Sequence, residues 1–293
     1  MPEISVVICA HNPERTRLKR VLEALSAQDL SHHRFEVLLI DNGSEPTLTK
    51  NDLNDLPSLP IKIVPEPRLG LTHARATGFR EARGSITVLV DDDNELAFNY
   101  LSETRAFLEQ RPDIGVIGGP CIPEFDGPIP SWAQEFLPLL ALRDLGKEPL
   151  IHSGEHGLSH GYPSFSPIGA GMAIRTSLAQ HWASNRALDE NGLIDRCGSA
   201  LSSAGDNDIV FSCLRQYAGV AYLPTLRVTH LLSVSRLDPF YLAKLNEGIQ
   251  RSWQQVLAIH GVSPWQPISA SGQDFELLVL GGDIVHGVVI SSA

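Results

Sequence analysis

Hydrophobic positions along the chain follow two alternating periods. Residues 4–9 are an unbroken apolar run rich in β-branched side chains, which predicts a strand covered on both faces. Residues 14–28 instead space Leu18, Val21, Leu22 and Leu25 as one helical face, behind an Asn12-Pro13 start signal in which Asn12 can act as the cap. The alternation continues with strands over 35–40 and 61–64, a helix over 71–83 closed by Gly84, and a strand over 86–90. A helix over 97–110 and a strand over 114–118 follow. Strands alternating with helices predict parallel β-α-β units with right-handed crossovers. In such sheets ligands gather beyond the carboxyl ends of the strands. The loops after Cys9, Ile40 and Val90 fall there, and all three are polar.

From 120 to 167 the periodicity gives way to sequence rich in Pro, Gly, His and Trp, and a loop region this long is expected to build a pocket or a lid. Order returns with 169–175, a helix over 176–183 and another starting near Asp206, then strands over 219–223 and 226–231. Residues 239–260 predict a long amphipathic helix with Tyr241, Leu245, Ile249, Trp253 and Val256 on one face. The stretch 273–293 is apolar and Gly-rich and suggests no function. These patterns divide the chain into a main α/β domain over 1–235 and a C-terminal helical extension and tail over 236–293.

Composition narrows the class. The chain has 293 residues, 43% hydrophobic and 19% charged, the balance of a globular protein with a substantial core. A net charge of -11 argues against a nucleic-acid partner. Cys9, Cys121, Cys197 and Cys213 show no C-x-x-C spacing, so they are expected to be reduced thiols rather than a zinc site or disulfide framework. Residues 1–3 lead straight into a strand, without signal peptide or spanning helix, and a cytoplasmic protein is expected, with peripheral contact at the inner membrane surface open. Against strong membrane contact, Arg236, Lys244 and Arg251 are few, and no exposed apolar anchor is expected beside them.

The chemistry concentrates at strand ends. Val88-Leu89-Val90 runs into Asp91-Asp92-Asp93, whose mutual repulsion a divalent cation would relieve. In an extended segment Asp91 and Asp93 share a side and Asp92 points away. An acidic surface turn is the plainer alternative. Asp41-Asn42-Gly43-Ser44 reads equally as a tight turn or as a carboxylate facing a base or ribose. Gly70-Leu71-Thr72-His73-Ala74-Arg75 opens a helix whose free N–H groups and basic side chain suit phosphate. Asp206 and Asp208 stand in a helical first turn, where the dipole alone would favour them and a general base would also be placed. His230 ends a strand, as a structural histidine or as a ligand. Trp132, Trp182 and the histidines of 152–160 could stack on sugar faces or simply pack.

In chain order these segments, together with Ser5-Val6-Val7-Ile8-Cys9-Ala10-His11-Asn12 and Gly169-Ala170-Gly171-Met172-Ala173, resemble the family 2 glycosyltransferases over residues 4–231. The resemblance implies a GT-A-type single domain, with a mostly parallel central sheet, helices on both faces and an acceptor-side loop region over about 120–168. It implies transfer of a sugar from a nucleotide-diphosphate sugar, UDP-linked by preference, to a hydroxyl of a saccharide or lipid-linked acceptor. Ala10, His11, Asn12 and Glu14 would line the base and ribose, and Asp41 would bond the base. Gly70 and Arg75 would meet the diphosphate. Asp91 and Asp92 would lie near ribose and sugar, while Asp91, Asp93 and His230 would hold Mn²⁺ or Mg²⁺. Asp206 would be the base of an inverting displacement, with Asp208 as the second choice. The family pattern has Glu-Asp where this chain has Gly205-Asp206, which leaves a hydrolytic or non-catalytic nucleotide-sugar binder as the alternative. A nucleotidyltransferase fits less well, since Ala10-His11-Asn12-Pro13 is neither Gly-rich nor basic enough for its phosphate loop.

Overall fold

The computed structural model describes residues 1–53, 59–185 and 203–263. The apolar runs become β1 (Ile4–Ala10), β2 (Phe35–Asp41), β3 (Ile61–Pro65), β4 (Ile86–Asp91), β6 (Ile114–Gly118) and β10 (Gly219–Tyr222), all parallel in one sheet. The short strands β8 (Leu150–His152) and β9 (Ala173–Arg175) join it antiparallel, giving the order β3-β2-β1-β4-β9-β6-β10-β8.

Side-chain alternation sorts the core into two layers. Val6, Ile8, Val37, Leu39 and Val88 face Leu18, Val21, Leu22 and Leu25 of α1 (Arg15–Ser26) and Leu101 and Leu108 of α3 (Tyr100–Gln110). Val7, Leu38, Ile40 and Leu89 face Phe79 of α2 (Leu71–Glu81), Trp182 of α4 (Thr176–Asn185) and Ile209 and Val210 of α5 (Gly205–Arg215). Each such Leu, Ile or Phe contributes about 1.5–3 kcal/mol by leaving water, which is why both-face apolar runs settle at the sheet centre. The carboxyl ends of β1, β2 and β4 therefore share one rim, fixed by a register that sets Cys9 opposite Ile40 and Asp91.

Several boundaries differ from expectation. The helix expected from 97 starts only at Tyr100, because residues 94–96 form β5 (Asn94–Leu96) and pair with β11 (Val228–Leu232), and the Ala97 amide still bonds Arg227. With β7 (Cys121–Phe125), these build a second sheet in the order β5-β11-β7. The region 120–167 thus contains β7, β8 and a 3-10 segment, Ser131–Leu140. Arg20 on α1 forks onto Glu95 of β5 and Glu124 of β7, which fixes the second sheet against the first helix layer.

Helix α6 (Pro239–Ile259) follows Asp238, whose side chain caps the Tyr241 amide at 2.9 Å. Leu242, Leu245, Val256 and Leu257 are its buried face, while Tyr241, Ile249 and Trp253 are half-buried. At its start Phe240 is 85% exposed, so an exposed apolar side chain does stand beside Arg236 and Lys244, contrary to expectation. Among the described residues no helix is long and apolar enough to cross a membrane. Cys9, Cys121 and Cys213 are free thiols. Cys197 and the stretch 273–293 lie outside the described residues.

Candidate active site

The acidic triplet sits where β4 leaves the sheet and β5 begins. Asp91, Asp92 and Asp93 are all half-buried. Burial, then the charges of Asp93 and Asp91, push the Asp92 carboxyl up to about 7. Like charges therefore crowd a poorly solvated corner, opposed at Asp92 by the Arg236 guanidinium. Antiparallel pairing of β11 on β5 sets His230 opposite Asn94. It brings the imidazole Nε2 to 3.4 Å from Asp93 Oδ2. Asp93 Oδ1 accepts from the Asn94 side chain at 3.1 Å, and the Asp93 carbonyl accepts from the Leu231 amide. His230 Nδ1 is buried without a partner. A carboxylate and an imidazole converging this way fit a divalent cation that completes its shell with water and substrate phosphate. Among the described residues no group of three or more His, Cys, Asp or Glu side chains could hold a metal ion, so Asp91, Asp93 and His230 are not gathered here into the expected ligand set.

The loops after β1 and β2 are laced together. His11 Nδ1 lies 2.8 Å from the Asn42 carbonyl, Asn12 N donates to Ser44 Oγ at 3.0 Å, and Asn12 Oδ1 accepts from Glu45 N at 2.8 Å. His11 and Asn12 are exposed, and Ala10 is buried with its carbonyl bonded to the Asn42 amide. Asn12 does not cap α1. Glu14 does, accepting from Thr16 N and Arg17 N at 2.9 Å each while remaining exposed. These bonds to its charged form hold Glu14 below the usual carboxylate range. Asp41 is 2% exposed, with its two oxygens bonded to the Ser44 and Leu48 amides at 3.0 Å. Asp41 is thus the clasp of this turn.

Asn42 carries the connection onward. Its amide donates to the Glu66 and Arg68 carbonyls and its oxygen accepts from Gly70 N at 2.9 Å. Gly70 has φ +126°, which admits only glycine without strain, and α2 starts there with no side-chain cap. Arg75 in the following turn is 4% exposed. Its guanidinium packs on Gly169, where an added Cβ would stand 2.3 Å from Nη2. The 169–172 segment then runs along β4, with Gly171 N bonded to Leu89 O and Leu89 N to Met172 O.

The Gly169 amide also donates to Asp206 Oδ2 at 3.0 Å, while Asp206 Oδ1 accepts from Asn207 N. Gly169 thus joins Arg75 and Asp206 on one wall. Asp206 is half-buried and Asn207 Oδ1 accepts from Tyr162 at 2.8 Å. Asp208 is turned away. At 3% exposure it accepts from Trp182 Nε1 and pairs with His260 Nε2, both at 2.7 Å, so it does not stand as a second base. Trp182 is 1% exposed, edge-on to Phe79, and presents no face to a sugar. Trp132 is 42% exposed beside Phe136. Arg143 and Tyr162, which the sequence did not single out, also line this side, and Arg143 feels the Asp206 charge. They belong to the stretch without periodicity, where no pattern marks one residue over another. A surface hollow lined by Arg83, Gly84, Arg175 and Thr176 lies at the amino end of β4, away from these side chains.

The sheet order, the second small sheet and the acidic strand end define a GT-A fold. A mannosyltransferase from Pyrobaculum calidifontis, solved in complex with GDP-Man and Mn²⁺, shares it with a TM-score of 0.59 and 16% identity, over 88% of this chain and 64% of that one. The profile described as Glycosyl transferase family 2 matches residues 5–180, and the chain belongs to that family. Two curated relatives match over shorter stretches. The glucosyl-dolichyl phosphate glucuronosyltransferase of Haloferax volcanii is 23% identical over 136 residues, 45% of this chain and 42% of that protein. Polypeptide N-acetylgalactosaminyltransferase 8 of Drosophila melanogaster is 33% identical over 106 residues, 34% of this chain and 18% of that one. The chain spans less than half the length of either relative.

Proposed function

We propose that the protein transfers a sugar from a nucleotide-diphosphate donor to an acceptor hydroxyl, with residues 1–235 as the catalytic unit and α6 as its extension. One observation carries the reading: Asp93 with His230, and Arg75 with Asp206 through Gly169, are each brought together from distant segments near the end of β4. His11, Asn12 and Glu14 are exposed side chains available to base and ribose. The uncapped start of α2 and Arg75 offer donors to the diphosphate, whose negative charge grows as the glycosidic bond breaks.

Asp93 and His230 would hold Mn²⁺ or Mg²⁺, with Asp91 beside them. When bound, the cation supplies Lewis-acid stabilisation of the departing diphosphate. Asp206 is the candidate base. Each of its oxygens accepts one amide N–H and keeps a second lone pair for the acceptor proton. Removing that proton as the hydroxyl attacks the anomeric carbon gives inversion. UDP is the favoured carrier by family resemblance, although the Pyrobaculum calidifontis structure contains GDP-Man. The acceptor is a saccharide or a lipid-linked one, and exposed Phe240 favours contact with a lipid surface.

Gly205, buried where the family carries an acid, supports one other reading: donor binding without transfer. Melting temperatures with nucleotide diphosphates and nucleotide sugars, with and without Mn²⁺, test donor binding. Product formation with and without acceptor then separates transfer from hydrolysis and from binding alone. If no nucleotide raised the melting temperature, the donor-site reading would fail.

A further inference from the structure

Among the described residues Arg20, Arg34, Arg68, Arg83 and Arg111 each contact one or more carboxylates in close ion pairs. Arg175 has no such pair but places its donors on the Leu108, Arg111 and Ile114 carbonyls. Arg143 has neither arrangement. Its backbone pairs with Cys121, N to O and O to N, at 3.0 and 2.9 Å, which anchors it beside the start of β7. Its side chain is half-buried, with the guanidinium carbon 5.9 Å from the Tyr222 ring centre. One Nη1–H donates to the Ser166 carbonyl at 2.5 Å. That is its single side-chain hydrogen bond among the described residues, and none of their carboxylates pairs with it. A guanidinium carries five N–H donors and remains charged in proteins. Holding it largely out of water without an anion is costly, and burial accordingly depresses its basicity.

Its position says what would complete it. Ser166, which anchors Arg143, lies three positions before Gly169, which anchors Asp206. Tyr162, near Arg143, bonds Asn207 beside the same carboxylate. On its other side Arg143 neighbours Cys121, which feels the charges of Asp91 and Asp93. The unmatched fork therefore stands beside the space between the proposed metal ligands and the proposed base.

We propose that Arg143 is a specificity-determining residue that reads an anionic substituent, a carboxylate or phosphate, on a sugar seated between Asp93 and Asp206. The inference rests on the glycosyltransferase reading. It adds that one sugar of the reaction is acidic. A planar guanidinium suits such a group because it offers two parallel N–H bonds. The charged sugar belongs either to the donor, as a nucleotide uronic acid, or to the acceptor, as a uronic acid or sugar phosphate.

Calorimetry on the full chain with Mn²⁺ separates the two. In the donor arm, UDP-glucose is compared with UDP-glucuronate, and GDP-mannose with GDP-mannuronate. In the acceptor arm, with nucleotide diphosphate present, glucose is compared with glucuronate and glucose 6-phosphate. The wild type should favour the charged member in one arm by about tenfold or more, the range of a hydrogen-bonded charge pair. Arg143→Met should abolish that preference and Arg143→Lys should keep part of it. UDP and GDP alone should bind the Met variant as they bind the wild type, which checks that the site has folded. Should that variant fail to fold, Arg143→Gln replaces it. Equal binding of charged and neutral members in both arms of the wild type overturns the inference, as does a preference that survives loss of the guanidinium. Failure of every nucleotide diphosphate to bind the wild type would instead sink the glycosyltransferase reading on which it rests.

Discussion

His230 Nε2 stands 3.4 Å from Asp93 Oδ2 because β11 lies antiparallel on β5 and sets His230 opposite Asn94. A three-residue strand thus brings an imidazole to the acidic strand end. If the pair holds a cation shared with a diphosphate, Asp93→Asn and His230→Ala should each remove most of the Mn²⁺-dependent part of nucleotide binding. A nucleotide at about 100 times its Kd stabilises by about 2.7 kcal/mol. The variants should therefore show much smaller melting shifts with nucleotide plus Mn²⁺, while their melting temperatures without ligand stay close to wild type. A full Mn²⁺-dependent shift in both variants would exclude the pair as metal ligands.

Asp206 and Asp208 are two positions apart and separate cleanly by burial. Asp206→Asn keeps the shape, retains one of the Gly169 and Asn207 amide contacts through its single acceptor oxygen and removes the proton acceptor, so turnover should fall about 10²–10⁴-fold with donor affinity preserved. Asp208→Ala strands the buried Trp182 and His260 donors and should cost on the order of 3 kcal/mol in urea unfolding. An Asp208→Ala protein of normal stability and no activity would reverse the two roles.

Gly169 and Gly171 make a second informative pair. At Gly171, with φ +77°, a Cβ would meet Val228 Cγ2 at 2.6 Å and the Tyr100 hydroxyl at 2.7 Å. Gly171→Ala should therefore destabilise by roughly 2–4 kcal/mol, through strain and overpacking. At Gly169 the obstacle is the far end of the Arg75 side chain, which can move. Gly169→Ala should cost little stability but displace the guanidinium and weaken nucleotide diphosphate binding, measured by calorimetry. Equal stability losses in the two variants would count against placing Arg75 at the diphosphate.

The parallel core was legible because strands such as 4–9 and 86–90 are apolar on both faces, a pattern that leaves little choice but the sheet centre. The second sheet was not. Asn94-Glu95-Leu96 is too short to show a period, and its strand exists only because β11 arrives to pair with it. The same limit applied to the site. Asp91, Asp93 and His230 announce themselves as chemistry at strand ends. By contrast, Asp41, Glu14 and Asp208 look identical in sequence whether they face a ligand or hold backbone amides and buried donors. Only their hydrogen bonds show what each one holds, and Arg143, in a stretch without periodicity, stands out only by its single side-chain bond.

Glu66 gives the clearest pH dependence outside the metal corner. Its Oε1 accepts from Arg68 N and Nε at 2.9 and 3.0 Å, and its Oε2 from Arg68 Nη2 at 2.9 Å and Thr77 Oγ1 at 2.6 Å. Those bonds, the Arg68 guanidinium first, hold the carboxyl at about 2 against an ordinary 4.5. The folded-state value is depressed, so the stabilisation is complete above the unfolded value and disappears as pH falls from 4.5 towards 2. Because Arg68 is half-exposed, solvent screening reduces the gain to roughly 1–2 kcal/mol. Glu66→Gln should therefore unfold at lower urea than wild type at pH 7, and the gap should narrow steadily below pH 4.5. A gap unchanged between pH 7 and pH 3 would show that Glu66 acts through shape and neutral hydrogen bonds rather than through its charge.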